Sequence, residues 1–296
     1  MNSTIGIVGT GDMGSAVGGA LLRAGYRVIT ALEHRSAESR KLARRAGLED
    51  CGSLDRVLGE SDIFLSILPP AAACEFASQV AGAIAETSRA ILYADCNAVA
   101  PETLKRIEAL FAGGSAEFVD VGIVGQPPGR SASMPTRFYV AGAQRDRILS
   151  LKTPEIAMID MGPASGRASA IKMCYAALNK GVDALFTDIL LAARRLDVES
   201  ELRMELDASQ SEAAARMVRR IPYLAATAAR YTGEMREIAQ AFDAAGVSGD
   251  FHRGAAWLYD VLARSSLSAE TRDTLPDERS LDEALAAYAA VLEKKD

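Results

Sequence analysis

"TIGIVGTGDMGSAVGGALLRAGYRVIT", residues 4–30, decides how this chain folds. The run "TIGIV" (4–8) is short, rich in branched residues and closed by glycine, which predicts a buried strand. From residue 12 the apolar positions Val17, Ala20 and Leu21 recur at helical spacing, which predicts a helix over 12–24. "YRVITA" (26–31) then predicts a second strand. At the strand–helix junction stand Gly9, Gly11 and Gly14, in the order G-x-G-x-x-G. A strand before that motif and a helix after it are the context in which it binds a dinucleotide. Gly9 permits the tight turn, Gly11 lets a pyrophosphate approach the backbone, and Gly14 lets the helix pack close to the strand. Asp12 and Met13 begin the helix, whose unpaired N–H groups suit phosphate oxygens. Gly9, Gly11, Asp12, Met13 and Gly14 are therefore the expected cofactor-binding loop.

The alternation continues outward. "DIFLSI" (62–67), "AILYA" (90–94), "EFVDVGIV" (117–124), "RFYVAG" (137–142) and "IAMIDM" (156–161) read as further strands. Helical patterns occupy about 36–46, 71–85 and 101–111. Such alternation predicts an α/β, Rossmann-type, doubly wound parallel sheet. Beyond Gly166 the strand signal disappears. Ile171, Leu178, Val182, Leu185, Ile189 and Leu196 keep one stripe on a long helix over about 167–198. Helices at about 200–208, 211–220, 223–230, 233–245, 250–264 and 280–293 follow, with Gly233, Gly246 and Pro276 read as breaks. The expected organisation is a nucleotide-binding domain over 1–163 and an all-α domain over 164–296, joined by the long helix. The boundary falls at "GPASGR" (162–167).

The totals narrow the possibilities. The chain has 296 residues, 49% of them hydrophobic, and a formal charge of −6. That balance argues against a general nucleic-acid binder but leaves room for small anions held by local cations. Cys51, Cys74, Cys96 and Cys174 form no C-x-x-C pair, and His34 and His252 lie far from them, so no zinc site is expected. The N-terminal sequence has no signal-peptide pattern, and no apolar run reaches membrane-spanning length. A cytoplasmic protein without a membrane partner is the expectation.

Cofactor choice rests on the tip of the second strand, "TALEHRSAESR" (30–40). An acidic residue there favours NAD by bonding the ribose hydroxyls, and Glu33 is present. Arg35, Ser36 and Arg40 follow at once, and an arginine with a serine suits a 2′-phosphate. The expected cofactor is NADP, with NAD as the alternative. Ser36 also stands where it would cap the next helix.

In "ASAIKMCYAALNKG" (168–181), Lys172 sits among apolar neighbours. By residue type alone it reads as a lysine whose stem packs while its ammonium reaches water. An apolar helix face would disfavour the charged form. Tyr175 and Asn179 lie at i+3 and i+7 and share its face. Asn97 follows a strand at the sheet edge where ligands bind, although an asparagine ahead of Pro101 also suits a turn.

"GIVGTGDMG" (6–14), "SILPP" (66–70), "DCNAVAPET" (95–103), "FVDVGIVGQPP" (118–128) and "GPASGRASAIKM" (162–173) resemble, in order and spacing, the β-hydroxyacid dehydrogenase family. Its relatives include 6-phosphogluconate and 3-hydroxyisobutyrate dehydrogenases. "TGEMREIAQAF" (232–242) is similar to a branch with a phosphogluconate dehydrogenase-like helical C-terminal region. The resemblance implies hydride transfer between a nicotinamide and a small anionic hydroxy acid or sugar acid, with Lys172 as general acid–base. Tyr175 and Asn179, on the face of that lysine, are the expected companions in catalysis; Leu68, Pro69 and Asn97 are expected along the cofactor, and Asn97, Gly125 and Gln126 at the substrate. It also implies a homodimer formed through the helical domain.

Three positions depart from the family pattern. Val124-Gly125-Gln126 stands where a Ser-Gly-Gly turn is usual, Ala176 where an asparagine is usual, and Asn97 where serine is more common. The alternatives are an NADPH-dependent imine reductase, whose relatives usually lack this lysine, and a non-catalytic dinucleotide-binding protein.

Overall fold

The computed structural model describes residues 3–86, 90–131, 134–271 and 274–293. They form two compact units, Met1–Met173 and Cys174–Asp296. In the first unit the order is β1 (Thr4–Val8), α1 (Asp12–Arg23), β2 (Arg27–Thr30), α2 (Ala37–Ala46), β3 (Glu49–Asp50), α3 (Leu54–Glu60), β4 (Ile63–Ser66), α4 (Pro70–Ala85) and β5 (Leu92–Asp95). Then come α5 (Pro101–Ala109), β6 (Glu117–Val124), β7 (Thr136–Ala141), α6 (Arg145–Leu149), β8 (Ile156–Asp160) and α7 (Arg167–Arg195).

The eight strands form one sheet in the order β3-β2-β1-β4-β5-β6-β7-β8. The chain runs outward from β1 through β2 to β3, then crosses to place β4 on the other side of β1. Strand order therefore reverses between β1 and β4, and such a switch point opens a crevice at the strands' carboxyl ends. Alternation fills both faces. Ile5, Ile7, Ile63, Leu65 and Leu92 enter one core cluster, while Val8, Phe64 and Tyr93 enter the other. Burial on both faces explains why these strands read as continuous apolar runs.

Two local expectations change. The sheet is not wholly parallel, because β7 runs antiparallel to β6. The described residues of the β6–β7 connection, 125–131, 134 and 135, hold no helix, and a parallel return needs a crossover, which this connection does not supply. The strand β3 has only two residues, too few to show alternation, and α3 and α6 are also too short to show a helical stripe. The two compact units meet in sequence after Met173. The first turns of α7 pack on β6: a Cβ on Gly122 would lie 2.3 Å from the Ala168 carbonyl oxygen.

The second unit contains the rest of α7, then α8 (Glu199–Ser209), α9 (Ser211–Arg220), α10 (Ala225–Ala244), α11 (Asp250–Ala263) and α12 (Leu281–Glu293). Its core includes Leu190, Met217, Ile221, Met235, Ile238, Leu258, Leu262 and Tyr288. Gly233 does not end a helix, since α10 runs through it. A glycine costs a helix interior about 1 kcal/mol, and burial of Thr232, Glu234, Met235, Ile238 and Ala239 on this helix outweighs that. Among the described residues no helix is long and apolar enough to cross a membrane.

Candidate active site

The glycine loop closes the end of β1. Gly9 has φ +96°, and a Cβ there would lie 2.0 Å from the Ile67 carbonyl oxygen. A Cβ on Gly14 would lie 2.1 Å from the carbonyl oxygen of Gly9. These two glycines are required by the fold. Gly11 is not: no atom lies within 4 Å of the position its Cβ would take. Nor does any side chain cap α1 at Gly11, so the first-turn N–H groups face an open approach. The loop fits a pyrophosphate. Arg130, from the β6–β7 connection, donates from Nη2 to Asp12 Oδ1 at 3.0 Å and brings a cation to the same helix end.

At the tip of β2, His34 takes a left-handed φ of 56°. The next residue, Arg35, lies with its guanidinium 5.9 Å above the Phe76 ring. Its Nε is buried with no hydrogen-bond partner, and burial lowers the pKa of the group. Ser36 caps α2, accepting from the Ser39 N–H at 3.1 Å. Of the two residues expected to read a 2′-phosphate, the arginine keeps a donor unmet and the serine is engaged in its helix.

Asn97 ties the ends of β4 and β5 together. Its Oδ1 accepts from the Leu68 N–H at 2.6 Å. Its Nδ2 donates to Asp95 Oδ2 at 2.9 Å and to Ser66 Oγ at 3.2 Å. Its own N–H donates to Asp95 Oδ1 at 3.0 Å. The side chain expected near nicotinamide or substrate is thus 2% exposed and bonded within the protein. Leu68 in turn lies against Gly9, and Pro69 and Pro70 open α4, where a missing N–H costs nothing.

Lys172 meets this clamp. Its Nζ donates to the carbonyl oxygens of Cys96 at 3.1 Å and Asn97 at 3.0 Å. The apolar setting expected for its tip is corrected: the stem leaves α7 beside Gly122, but the amine rests on main-chain oxygens. Two carbonyl acceptors suit the ammonium form. Asp120 fixes the helix that carries it. That carboxylate lies at the centre of β6 with no solvent exposure. Its Oδ2 accepts from the N–H groups of Gly166, Ala168 and Ser169 at 2.9–3.1 Å, and its Oδ1 from Ser169 Oγ at 2.7 Å. It is the N-terminal cap of α7. Burial pushes the Asp120 pKa up, and burial pushes that of Asp95 up to about 6.

Asp95 and Asp120 were not singled out from the sequence. The available signal was an acid inside a run otherwise read as buried strand, "FVDVGIV", and an acid at the end of another, "LYAD". A charge there needs partners.

The remaining expected residues have local engagements. The exposed Gln126 accepts at its carbonyl from Thr136 Oγ1 at 2.6 Å, after Gly125 at φ +110°. Tyr175 and Asn179 belong to the second unit. The Tyr175 ring is exposed, and Asn179 Nδ2 donates to the Tyr175 carbonyl at 3.1 Å. Further along α7, the buried Asp183 accepts from Arg216 at 2.8 Å and Arg220 at 3.1 Å, a network internal to that unit.

A glycine loop at the switch point of such a sheet defines a dinucleotide-binding domain of the Rossmann type. Residues 4–153 match the NAD binding domain of 6-phosphogluconate dehydrogenase, and the chain belongs to that family. Residues 193–262 match a domain of unknown function, DUF1932. An uncharacterized 28.5 kDa protein in the 7S RNA 5′ region of Methanothermus fervidus is 22% identical over 208 residues, 70% of this chain and 78% of that one.

Among solved structures, the conserved protein MTH1747 of unknown function, described as structurally similar to 3-hydroxyacid dehydrogenases, is 25% identical. Its match covers 88% of this chain and 96% of that one, with a TM-score of 0.62. The 3-hydroxyisobutyrate dehydrogenase of Mycobacterium tuberculosis, solved with L-serine, is 17% identical over 99% and 100% of the two chains, with a TM-score of 0.67. An imine reductase from Myxococcus stipitatus in complex with NADP+ is 18% identical over 88% and 92%, with a TM-score of 0.51. The last two likenesses show the fold.

Proposed function

We propose that this protein is an NADP-dependent oxidoreductase that interconverts a small anionic hydroxy acid or sugar acid and its carbonyl form, with Lys172 as general acid–base. The observation that carries this reading is the Lys172 amine held by two carbonyls at the carboxyl end of β5. That strand is two places from β1 and its glycine loop. Gly9, Gly11, Asp12, Met13 and Gly14 would hold the pyrophosphate, and Arg35 would meet a 2′-phosphate with its guanidinium. The nicotinamide, when bound, supplies or accepts the hydride. Lys172 supplies or accepts the proton at the substrate oxygen. Its carbonyl cradle favours the protonated donor, which suits reduction of a carbonyl; oxidation of an alcohol requires the amine to lose that proton first.

The test is turnover on a panel of hydroxy acids and their keto forms, beside a fluorescence titration with NADPH. Lys172→Ala is expected to lose at least ~10²-fold in kcat, as removal of a positioned acid–base group does, while keeping its NADPH affinity. Lys172→Arg is expected not to restore it, because a guanidinium releases no proton near neutral pH. An alanine variant with near wild-type kcat would return the residue to a packing role. Imine reduction is the second reading, favoured by the likeness to imine reductases; activity on cyclic imines with none on the hydroxy-acid panel would select it.

The same reading includes a homodimer. On the second-unit part of α7, Tyr175, Leu178, Val182, Leu185, Ile189 and Ala192, with Leu196 just past its end, alternate at spacings of three and four, the pattern of a coiled-coil seam. Tyr175, Leu178, Leu185, Ile189 and Leu196 are exposed, Leu178 at 61% and Leu196 at 73%. A second copy of the chain offers the same stripe. Light scattering is expected to give twice the 31.3 kDa chain mass, and a monomer at micromolar concentration would refute it.

A further inference from the structure

The end of β5 carries a buried acid to which the reading above gives no task. Asp95 is 1% exposed, and both its oxygens are spent on one neighbour, Asn97. It bonds Asn97 at the main-chain N–H and at the side-chain amide. This fixes the plane of the Cys96–Asn97 peptide and the course of the chain into the Asn97 carbonyl. Those two carbonyls are the acceptors of the Lys172 ammonium. We propose that Asp95 is a positioning residue for Lys172, orienting Asn97 so that the Cys96 and Asn97 carbonyls hold the ammonium, and adding the negative charge that this cation faces. The proposal rests on Lys172 being the acid–base of the reaction.

Two features separate this from a turn that merely needs an acceptor. First, Asn97 already has fold partners on the other strand: its Oδ1 takes the Leu68 N–H and its Nδ2 reaches Ser66 Oγ. Asp95 adds to the clamp a buried charge that a neutral residue would spare the fold. Burial is the foremost cause of its raised pKa, and the bonds from Asn97 only partly offset it. A group in that state lowers stability at neutral pH, so its presence calls for a return elsewhere. Second, the charges around it form one set. Asp120 on β6 raises the Asp95 pKa and Lys172 on α7 lowers it. Its own strand carries the buried Tyr93 phenol, and the buried Cys96 thiol follows it, both pushed up by burial and by Asp95, and β4 offers the neutral Ser66. Lys172 is the cation of the group.

The experiment has one arm that needs no substrate. In the full-length protein with 13C-carboxyl-labelled aspartate, the Asp95 resonance is identified by its loss in Asp95→Asn and titrated between pH 4 and 8. A midpoint near pH 6 is expected, as the burial of the group implies, moving upward in Lys172→Met because the cation is gone. A midpoint unmoved by Lys172→Met would overturn the proposal.

The second arm is kinetic. Asp95→Asn keeps the shape, removes the charge, and sets a donor against Asn97 Nδ2. A roughly tenfold or greater loss of kcat is expected, the low end of what a displaced acid–base group costs. NADPH affinity and folding should be retained. The wild type should lose kcat below about pH 6 as Asp95 takes up a proton, and this acid limb should be absent in Asp95→Asn. An unchanged kcat and an unchanged limb would show a purely structural acid. If the wild type turns over no hydroxy acid, the functional reading fails, and the titration alone decides whether Asp95 and Lys172 are coupled.

Discussion

Two helices of the first unit begin with opposite solutions to the same problem. An α-helix starts with unpaired N–H groups and a partial positive charge. At α1 no side chain caps the helix at Gly11, and the space where a Cβ would stand is open. At α7 the N–H groups of Gly166, Ala168 and Ser169 converge on the buried carboxylate of Asp120. One helix start waits for an anion from outside. The other is closed by the protein's own anion, and what it gains is a fixed position for the residue one turn further on, Lys172.

The largest expected effect comes from emptying the filled start. Asp120→Ala leaves three N–H groups and a hydroxyl buried without their acceptor, a loss of about 3 kcal/mol or more. For a domain of this size that is a drop of roughly 6–12 °C in Tm. Differential scanning calorimetry checks it, and a melt within a degree or two of wild type would show that α7 does not depend on this cap.

Filling the open start should do the reverse. Gly11→Val meets no protein atom at its Cβ and has an ordinary backbone at φ −72°, so Tm should hold. The side chain would occupy the phosphate approach, and affinity for NADPH and NADH should fall together by about tenfold or more. Gly9→Ala is the contrast, since its Cβ collides with the Ile67 carbonyl, and it should lose stability. A Gly11→Val protein that binds either cofactor as tightly as wild type would remove the pyrophosphate from this loop.

The smallest effect tests the β2 tip. Arg35→Ala should weaken NADPH about five- to tenfold, the net scale of one ordinary hydrogen bond, and leave NADH unchanged. An equal loss for both would mean that Arg35 holds the loop over Phe76 rather than reading a 2′-phosphate.

The sheet was largely legible because each strand announces itself locally. Ile5 and Ile7, Ile63 and Leu65, and Leu92 carry their own apolar signal, and Gly9 and Gly14 stand where few other residues are tolerated. Lys172 was legible only through its resemblance to a family, since its residue type alone reads as a solvated lysine. Where the local signal misled, a distant contact had decided. The expected break at Gly233 is absent because α10 is held along its buried face. The expected parallel β7 is antiparallel to β6, and the described residues of its connection hold no crossover helix. Asn97 was read for its amide, and that amide is engaged by Leu68, Ser66 and Asp95.

By itself the sequence determined the longer strands and helices, the glycine turn after β1 and the change from an α/β to a helical pattern, because backbone preference and apolar period are properties of neighbouring residues. The tertiary structure alone decided how the site is held. Asp120 meets α7 across 46–49 residues, and Lys172 meets Cys96 and Asn97 across 76 and 75. Contacts over such separations leave no period to read. They exist because a buried charge and a buried helix end must each find a partner, and only the packed fold shows which partner is near.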